Sequence, residues 1–170
     1  MQDVNITKLA LARSLKELML KKSFDKISIS DITNNCKLNR QTFYYHFQDK
    51  YDLMNWIYYN EIFVLLVDDL DENNYEQKFY QMFDKMYKEK EVYVNALSMS
   101  AENSFKDYLE KVLHILVSII LDNKKSQDIM FCTFGLTGII IDWIKRGAKE
   151  SPQEVSRWLS EILIKFKRKS

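Results

Sequence analysis

Residues 40 to 47, which read RQTFYYHF, combine side chains that bind nucleic acid. The guanidinium of Arg40 suits O6 and N7 of guanine, and the carboxamide of Gln41 suits N6 and N7 of adenine. Hydroxyl groups, such as those of threonine and tyrosine, bind phosphate oxygens. This run therefore predicts contact with DNA. The alternative is an ordinary solvated helix face.

Helical spacing divides the four aromatic residues of this run into two groups. Phe43 and Phe47 fall four apart on one face, and we expect them to pack against the preceding helices. The remaining aromatic residues share outward faces with polar partners, and these pairs are Arg40 with Tyr44 and Gln41 with Tyr45. The spacing predicts an inner aromatic pair for the core and an outer pair for a partner.

The residues before this run predict a helix-turn-helix. Ser28 and Asp31 form a capping-box pattern, which opens a short helix over about 29–36. A break follows at Lys37, and Asn39 is a good N-cap for the next helix. A first helix over about 7–21 precedes them, with one apolar face made of Leu11, Leu15, Leu18 and Met19. A helix-turn-helix places the second of its two helices, here the one that contains RQTFYYHF, in the DNA major groove.

Composition and spacing predict helices throughout the chain. It holds only three glycines and one proline, residues on which tight turns depend. Beyond Asp49, which caps the fourth helix, we expect helices at about 50–69, 75–89, 91–99, 103–122, 126–146 and 152–167. The predicted fold is all-α, with a three-helix helix-turn-helix domain over 1–50 and a larger helical domain over 51–170.

Charge supports the assignment of the first domain to DNA. The whole chain has a net charge of +1, yet residues 1–50 hold nine Lys or Arg and five acids. Positive charge therefore concentrates where a polyanion would bind.

Several functional classes find no support in the sequence. There is no nucleophile–base pair, glycine-rich phosphate loop or metal-ligand spacing, which argues against an enzyme, a cofactor and a metal site. Cys36 and Cys132 lie far apart and read as reduced packing residues of a cytoplasmic protein. The first residues lack a signal-peptide pattern, and the apolar stretch FGLTGIIIDWI is too short to span a bilayer. We therefore expect no membrane association.

The run SFDKISISDITNNCKLNRQTFYYHFQDKYDL, residues 23 to 53, resembles the DNA-binding region of the TetR family of transcriptional regulators. Matching features include Phe24-Asp25, the Ser28 cap and the run from Thr42 to Phe47. The segment NRQTFYYHFQ is also similar to the family's activators of dihydroxyacetone kinase operons. One departure is Lys37, since the family usually has glycine in the turn. Either lysine adopts the left-handed conformation there, at a cost of about 1–2 kcal/mol, or the turn has another shape.

The resemblance implies a role for each polar residue of the region. Arg40 and Gln41 would read base edges, and Tyr45 would contact a thymine methyl or a sugar, joined by Ser30 of the second helix. Phosphate contacts would come from Thr42, Tyr44 and His46, then from Ser28 and Asn39, and from the ammonium of Lys50 at the start of the fourth helix.

The larger domain resembles the family more loosely, and two further sites are implied. An effector pocket would lie among Met82, Met86, Tyr93, Phe105 and His114; the alternative is plain core, and the apolar face around His114 favours a buried core histidine. The last two helices would pair with a second subunit through Ile139, Trp143, Trp158, Ile162 and Phe166; the alternative is a helix pair satisfied within one chain.

The sequence thus predicts a homodimer that binds a double-stranded DNA operator under the control of a small-molecule effector or a co-regulator protein. The alternative is a helical protein-interaction module on the same fold that has lost operator binding.

Overall fold

The computed structural model describes residues 2–71, 73–98, 104–122 and 124–168, with side chains from residue 6 onward. All regular structure within these ranges is helical, which confirms the predicted all-α class. The elements in chain order are α1 (Gln2–Met19), a 3-10 turn (Phe24–Lys26), α2 (Ile29–Asn35), α3 (Arg40–His46), α4 (Lys50–Tyr58), a π-helical turn (Tyr59–Phe63), α5 (Val64–Val67), α6 (Tyr75–Lys88), α7 (Lys90–Leu97), α8 (Phe105–Ile120), α9 (Ser126–Lys145) and α10 (Pro152–Arg168).

Local capping signals set several of the helix boundaries. Asp49 accepts hydrogen bonds from the backbone N–H groups of Tyr51 and Asp52, and so caps α4. Ser151 caps α10, where its hydroxyl accepts from the N–H of Glu154 at 3.3 Å. The predicted single helix over 50–69 is instead α4, the π-helical turn and α5, which continue one another in right-handed helical conformation. The predicted end of the seventh helix at residue 99 and the predicted start of the next at residue 103 lie outside the described residues.

The first three helices pack around a small apolar core. Phe43 is fully buried and Phe47 is 4% exposed, with their rings 5.9 Å apart. They belong to the same buried apolar cluster as Leu11, Leu15 and Ile32, which are also fully buried. The prediction that Phe43 and Phe47 form the inner aromatic pair is confirmed.

The larger helical part is built from α4 to α10, in which α6 lies along α10 and α8 along α9. Its core holds Met82, Met86, Tyr93 and Phe105, each at most 1% exposed. The ring of Phe105 lies 5.3 Å from that of Tyr93 and 5.1 Å from that of Tyr58. These four residues fill the core, as the plain-core alternative expected.

Two predicted side-chain positions in this part are wrong. His114 is exposed on α8 rather than buried among apolar neighbours, because it points away from the buried face of Leu113, Leu116 and Val117. Trp143 is 1% exposed, packs edge-on against Phe83 and donates its indole N–H to the carbonyl of Glu150 at 3.0 Å. It therefore belongs to the core of its own subunit and is not accessible to a partner subunit.

Among the described residues, α9 is the one helix long and apolar enough to cross a membrane by length and composition, with a mean hydropathy of 1.3. The apolar stretch used for the sequence-based expectation was thus part of a longer helix of 20 residues. One such helix is weak evidence for a membrane, because the core helices of soluble proteins meet the same criterion. The buried face of α9, which includes Cys132, Leu136 and Ile140, packs inside the protein.

Candidate nucleic-acid interface

The start of α2 is fixed by a capping box. The hydroxyl of Ser28 accepts from the N–H of Asp31 at 3.1 Å, and the Asp31 carboxylate accepts from the N–H of Ser28 at 2.8 Å. Lys22 donates to the same carboxylate at 2.8 Å. The bond from Lys22, followed by those from Ser28, holds the pKa of Asp31 well below its usual range. The capping-box prediction is confirmed, and Ser28 has this structural role whatever its contact with phosphate.

The turn between α2 and α3 has the left-handed conformation that Lys37 made doubtful. Lys37 has a φ of 57°, its N–H donates to the carbonyl of Asn34 at 3.2 Å, and the N–H of Leu38 donates to that of Thr33 at 2.9 Å. This pair of bonds is the Schellman motif, in which a glycine normally takes the place of Lys37. Lysine therefore adopts the left-handed conformation, and the turn keeps the shape of the Schellman motif.

The start of α3 is capped by Asn39. Its side-chain oxygen accepts from the N–H of Thr42 at 2.7 Å and from the Thr42 hydroxyl at 3.0 Å. The predicted cap is confirmed. Both side chains are thereby oriented at the first turn of the helix, with Asn39 exposed and Thr42 half-buried.

The outward face of α3 presents the predicted outer group to solvent. Tyr45 is 79% exposed and Tyr44 50% exposed, while Arg40 and Gln41 are exposed beside them. The guanidinium of Arg40 donates to the Tyr44 hydroxyl at 3.4 Å and lies 6.0 Å from its ring centroid. His46 is half-buried, with its ring edge-on to Tyr45. The division of the run into inner and outer side chains is confirmed, and the individual DNA contacts stay predictions.

Lys50 lies where sequence analysis expected it, at the first turn of α4, but its ammonium is engaged within the chain. It donates to the carbonyl oxygens of Phe24 at 2.9 Å, Asp25 at 3.1 Å and Ile27 at 2.9 Å. Burial lowers its pKa, opposed by the charge of Asp25. An ammonium has three donors, and here all three are used. The predicted phosphate contact of Lys50 stays a prediction and requires these bonds to break.

Ser30, the last of the predicted residues, is half-buried on α2 and accepts a hydrogen bond at its carbonyl from the Thr33 hydroxyl at 3.3 Å. The structure therefore groups Arg40, Gln41, Tyr44 and Tyr45 on one exposed face of α3. Asn39, Thr42 and His46 belong to the same helix and its cap, whereas Ser28 and Ser30 lie at the start of α2. In the described part of the chain, no group of three or more His, Cys, Asp or Glu side chains could hold a metal ion.

Comparison with known proteins identifies the family to which this arrangement belongs. Residues 13–56 match the family model described as "Bacterial regulatory proteins, tetR family". Residues 73–165, more than half of the chain, match the model described as "Transcriptional regulator C-terminal region". The chain belongs to the TetR family. It is accordingly a DNA-binding transcriptional regulator with a helix-turn-helix, and not an enzyme.

One curated relative within the TetR family is the HTH-type dhaKLM operon transcriptional activator DhaS from Lactococcus lactis subsp. lactis (strain IL1403). The two sequences are 28% identical over 123 residues, which cover 72% of this chain and 65% of the relative. The match thus spans slightly less than two thirds of that protein's length.

Solved structures of TetR-family proteins share the fold. The dihydroxyacetone kinase operon activator DhaS matches with a TM-score of 0.79 at 22% identity, covering 94% of this chain and 95% of that chain. A TetR regulator from Streptococcus agalactiae 2603V matches with a TM-score of 0.59 at 16% identity, covering 95% and 96%. NalD, the secondary repressor of the MexAB-OprM efflux pump in Pseudomonas aeruginosa, matches with a TM-score of 0.58 at 16% identity, covering 98% of each chain.

Sequence reasoning missed the polar side chains that join the DNA-binding helices to the rest of the chain. Asn95 on α7 bonds to the backbone around the end of α1, and Lys16 on α1 bonds to Glu61 and Glu89. These partners lie 45 to 76 residues apart in sequence. Helical spacing reports only neighbours three or four residues apart, so it signalled none of these contacts.

Proposed function

We propose that this chain is a homodimeric regulator that lays its two α3 helices in successive major grooves of a pseudo-palindromic operator. One observation carries the proposal: α3 presents an exposed face made of Arg40, Gln41, Tyr44 and Tyr45. The helix is capped by Asn39 and follows a turn of the Schellman type. In a dimer of this kind the half-sites lie about 34–36 Å apart, or a multiple of that distance. The regulator would act in the cytoplasm, where its operator is.

The residues of α3 divide between reading bases and positioning the protein. Arg40 and Gln41 are at the N-terminal end of α3, the end from which recognition helices reach base edges. The hydroxyls of Thr42 and Tyr44, with His46, would contact phosphates on either side. A good bidentate contact to a base discriminates by about 1–3 kcal/mol against the wrong base. Arg40 is therefore the most informative residue to change.

An exposed apolar surface on the last two helices supports dimerisation. Phe131 is 67% exposed, Phe134 52%, Ile139 40% and Trp158 46%, and α10 adds the half-buried Ile162 and Phe166. The rings of Phe131 and Phe166 lie 5.7 Å apart, so α9 and α10 contribute neighbouring apolar groups, and a monomeric protein rarely leaves a large apolar surface in water. In a two-fold dimer the same surface of each subunit would cover its counterpart.

The relatives favour activation as the sign of regulation. The curated relative DhaS, which is 28% identical to this chain over the matched residues, is named a transcriptional activator of the dhaKLM operon. We infer that this chain raises transcription from its operator in response to a small molecule or a partner protein. A reporter fused to the operator-bearing promoter tests the sign: loss of the gene should lower expression.

Operator binding is tested by fluorescence anisotropy with the DNA that flanks the protein's own gene, at two salt concentrations. We expect sequence-selective binding that Arg40→Ala weakens by about 10-fold or more on the selected site. Lys106→Ala, which removes a charge from the exposed face of α8, is the matched control and should bind as the wild type does. Weak, sequence-blind binding that Arg40→Ala leaves unchanged would instead favour a protein-interaction module.

A further inference from the structure

A cavity of about 730 Å³ opens where the DNA-binding helices meet the larger helical part. One wall is α1, the second is α4 with the π-helical turn, and the third is the junction of α6 and α7. Its walls include Leu9, Arg13, Lys16, Trp56, Glu61 and Glu89. A volume of this size accommodates a small organic molecule. The residues among which an effector was expected, such as Met82 and Met86, do not line this cavity.

Ion pairs at this cavity join all three walls. The ammonium of Lys16 donates to Glu61 at 2.5 Å and to Glu89 at 2.8 Å. Lys85 donates to Glu89 at 2.8 Å, and the hydroxyl of Tyr93 donates to Glu61 at 3.2 Å. The two carboxylates are therefore supplied with donors from the protein itself. Few oxygen lone pairs of these carboxylates are therefore left to accept hydrogen bonds from a ligand.

Arg13 is a cation on the cavity wall that forms no ion pair with the described acids around it. It is exposed on α1 and makes no ion pair with any residue that the structure describes. Its neighbour Glu17 instead accepts from Asn35 at 2.9 Å. Glu91 also lines the cavity, but it is exposed on the α7 side. A guanidinium with unused N–H groups is a geometric match for a carboxylate, sulfonate or phosphate.

Beside Arg13, the cavity wall is apolar. On α1, Leu9 is 53% exposed and lies one turn before Arg13, and the half-buried indole of Trp56 lines the cavity from α4. Large aliphatic side chains exposed beside a cavity gain from being covered by an apolar ligand. The combination of one free guanidinium with an apolar wall defines the chemistry of the ligand.

We propose that this cavity is a regulatory site for a small amphipathic organic anion, whose acidic group binds Arg13 and whose apolar body covers Trp56 and Leu9. The regulatory part of the proposal rests on the proposed function. A ligand here touches α1 of the DNA-binding helices and the α6–α7 junction at once. Occupancy therefore fixes the angle between the α3 helix and the rest of the subunit, and changes the spacing of the two α3 helices in a dimer.

The site is tested with 1-naphthalenesulfonate as the probe and neutral 1-naphthol as its uncharged counterpart. The chain has three tryptophans, so three indole N–H signals are expected in a ¹⁵N-correlated NMR spectrum, and Trp56→Phe assigns the one from the cavity. We expect the sulfonate to shift the Trp56 signal in a saturable manner. Arg13→Gln should weaken this binding by about 10-fold, and Lys149→Gln, an exposed cation outside the cavity, should not.

Three results would overturn the site. The Trp56 signal could stay fixed, it could move equally with 1-naphthol and in Arg13→Gln, or the Trp158 signal could move in its place. The last result would put the probe on the exposed apolar surface of α9 and α10. The regulatory part is tested separately on operator DNA, where saturating probe should change the affinity by about fivefold or more. Unchanged affinity with a saturated Trp56 signal would refute regulation through this cavity.

Failure of the proposed function gives a different result. In that case the protein without probe shows no selective operator binding, whereas the Trp56 titration does not depend on DNA and still reports on the cavity.

Discussion

The side-chain amide of Asn95, on α7, donates a hydrogen bond of 2.7 Å to the carbonyl oxygen of Met19, the last residue of α1. The same amide donates to the carbonyl of Lys22 at 2.9 Å, and its oxygen accepts from the N–H of Phe24 at 3.0 Å. One side chain of the larger helical part thus satisfies three backbone groups at the end of α1 and in the 3-10 turn. It joins the DNA-binding helices to the α6–α7 region.

We expect Asn95→Ala to lower the free energy of unfolding by about 2 kcal/mol, because partly buried backbone groups lose their partners. Asn95→Asp keeps the acceptor for Phe24 and loses both donors, so its loss of stability should be at least as large. The measurement is urea unfolding followed by circular dichroism. Asn73→Ala, at an exposed position, is the control. Equal stability of the Asn95 and Asn73 variants would show that the three bonds contribute nothing.

Lys37 gives a second prediction, because the same motif occurs with glycine elsewhere in the chain. Gly147 follows α9 with a φ of 81°, and the N–H groups of Gly147 and Ala148 close the same pair of bonds as those of Lys37 and Leu38. We expect Lys37→Gly to stabilise the protein by up to about 1 kcal/mol, since relief of left-handed strain exceeds the entropy that glycine adds to the unfolded chain.

The reverse change supplies the control for this prediction. Gly147→Ala introduces a side chain at a left-handed φ and should lower the midpoint of thermal unfolding, whereas Lys37→Gly should raise it. If Lys37→Gly lowers the midpoint, the lysine side chain must stabilise the turn in a way that outweighs its backbone strain.

The role of Lys50 can be separated from DNA binding. We expect Lys50→Met to cost about 2–3 kcal/mol of unfolding free energy, because the carbonyl oxygens of Phe24, Asp25 and Ile27 lose a charged donor. Lys26→Met, an exposed neighbour, is the matched control. In operator titrations at several salt concentrations, the slope of log K against log salt should be unchanged by Lys50→Met. A slope that is smaller in magnitude by about 0.9 in Lys50→Met would instead show that Lys50 contacts a phosphate.

Features that depend on residues close together in the sequence were predicted correctly. Ser28, Asn39 and Asp49 set helix ends within four residues of themselves, and all three were predicted. The division of α3 into buried Phe43 and exposed side chains also follows from helical period alone.

Positions that depend on distant packing were not predicted. His114 belongs to a helix with apolar residues on more than one face, including the exposed Ile115 and Ile119, so the sequence does not show which face is covered. The contacts of Asn95 and Lys50 reach backbone groups 23 to 76 residues away. No periodic pattern encodes them, because they depend on how whole helices are placed against one another.

Glu89 gives a prediction for pH. Burial alone would raise the pKa of this carboxyl, but hydrogen bonds from Lys16 and Lys85 outweigh burial and lower it below its usual 4.5. The folded protein therefore holds the proton of Glu89 less tightly than the unfolded chain does. The stabilisation is fully present above about pH 4.5 and is lost as the pH falls through the lowered pKa of the folded state.

Glu89→Gln should therefore lower the unfolding free energy at neutral pH, and the difference from wild type should shrink toward about pH 3. Urea midpoints measured across that range give the comparison. Glu91→Gln, an exposed acid on the same cavity, is the matched control and should show a smaller difference at neutral pH. A difference for Glu89→Gln that stays constant with pH would show that its ion pairs do not depend on the carboxylate charge.

The proposed dimer gives the last prediction, for which the chain offers a matched pair of exposed isoleucines. Ile139 on α9 is 40% exposed and Ile119 on α8 is 44% exposed, but only Ile139 belongs to the predicted interface. We expect Ile139→Lys to convert the dimer to a monomer, because a two-fold interface brings the same residue in twice and buries both charges without partners. Light scattering after size-exclusion chromatography measures the mass, and a monomer has a mass of 20.4 kDa. Ile119→Lys should stay dimeric; if it separates the subunits and Ile139→Lys does not, the interface lies on α8 instead.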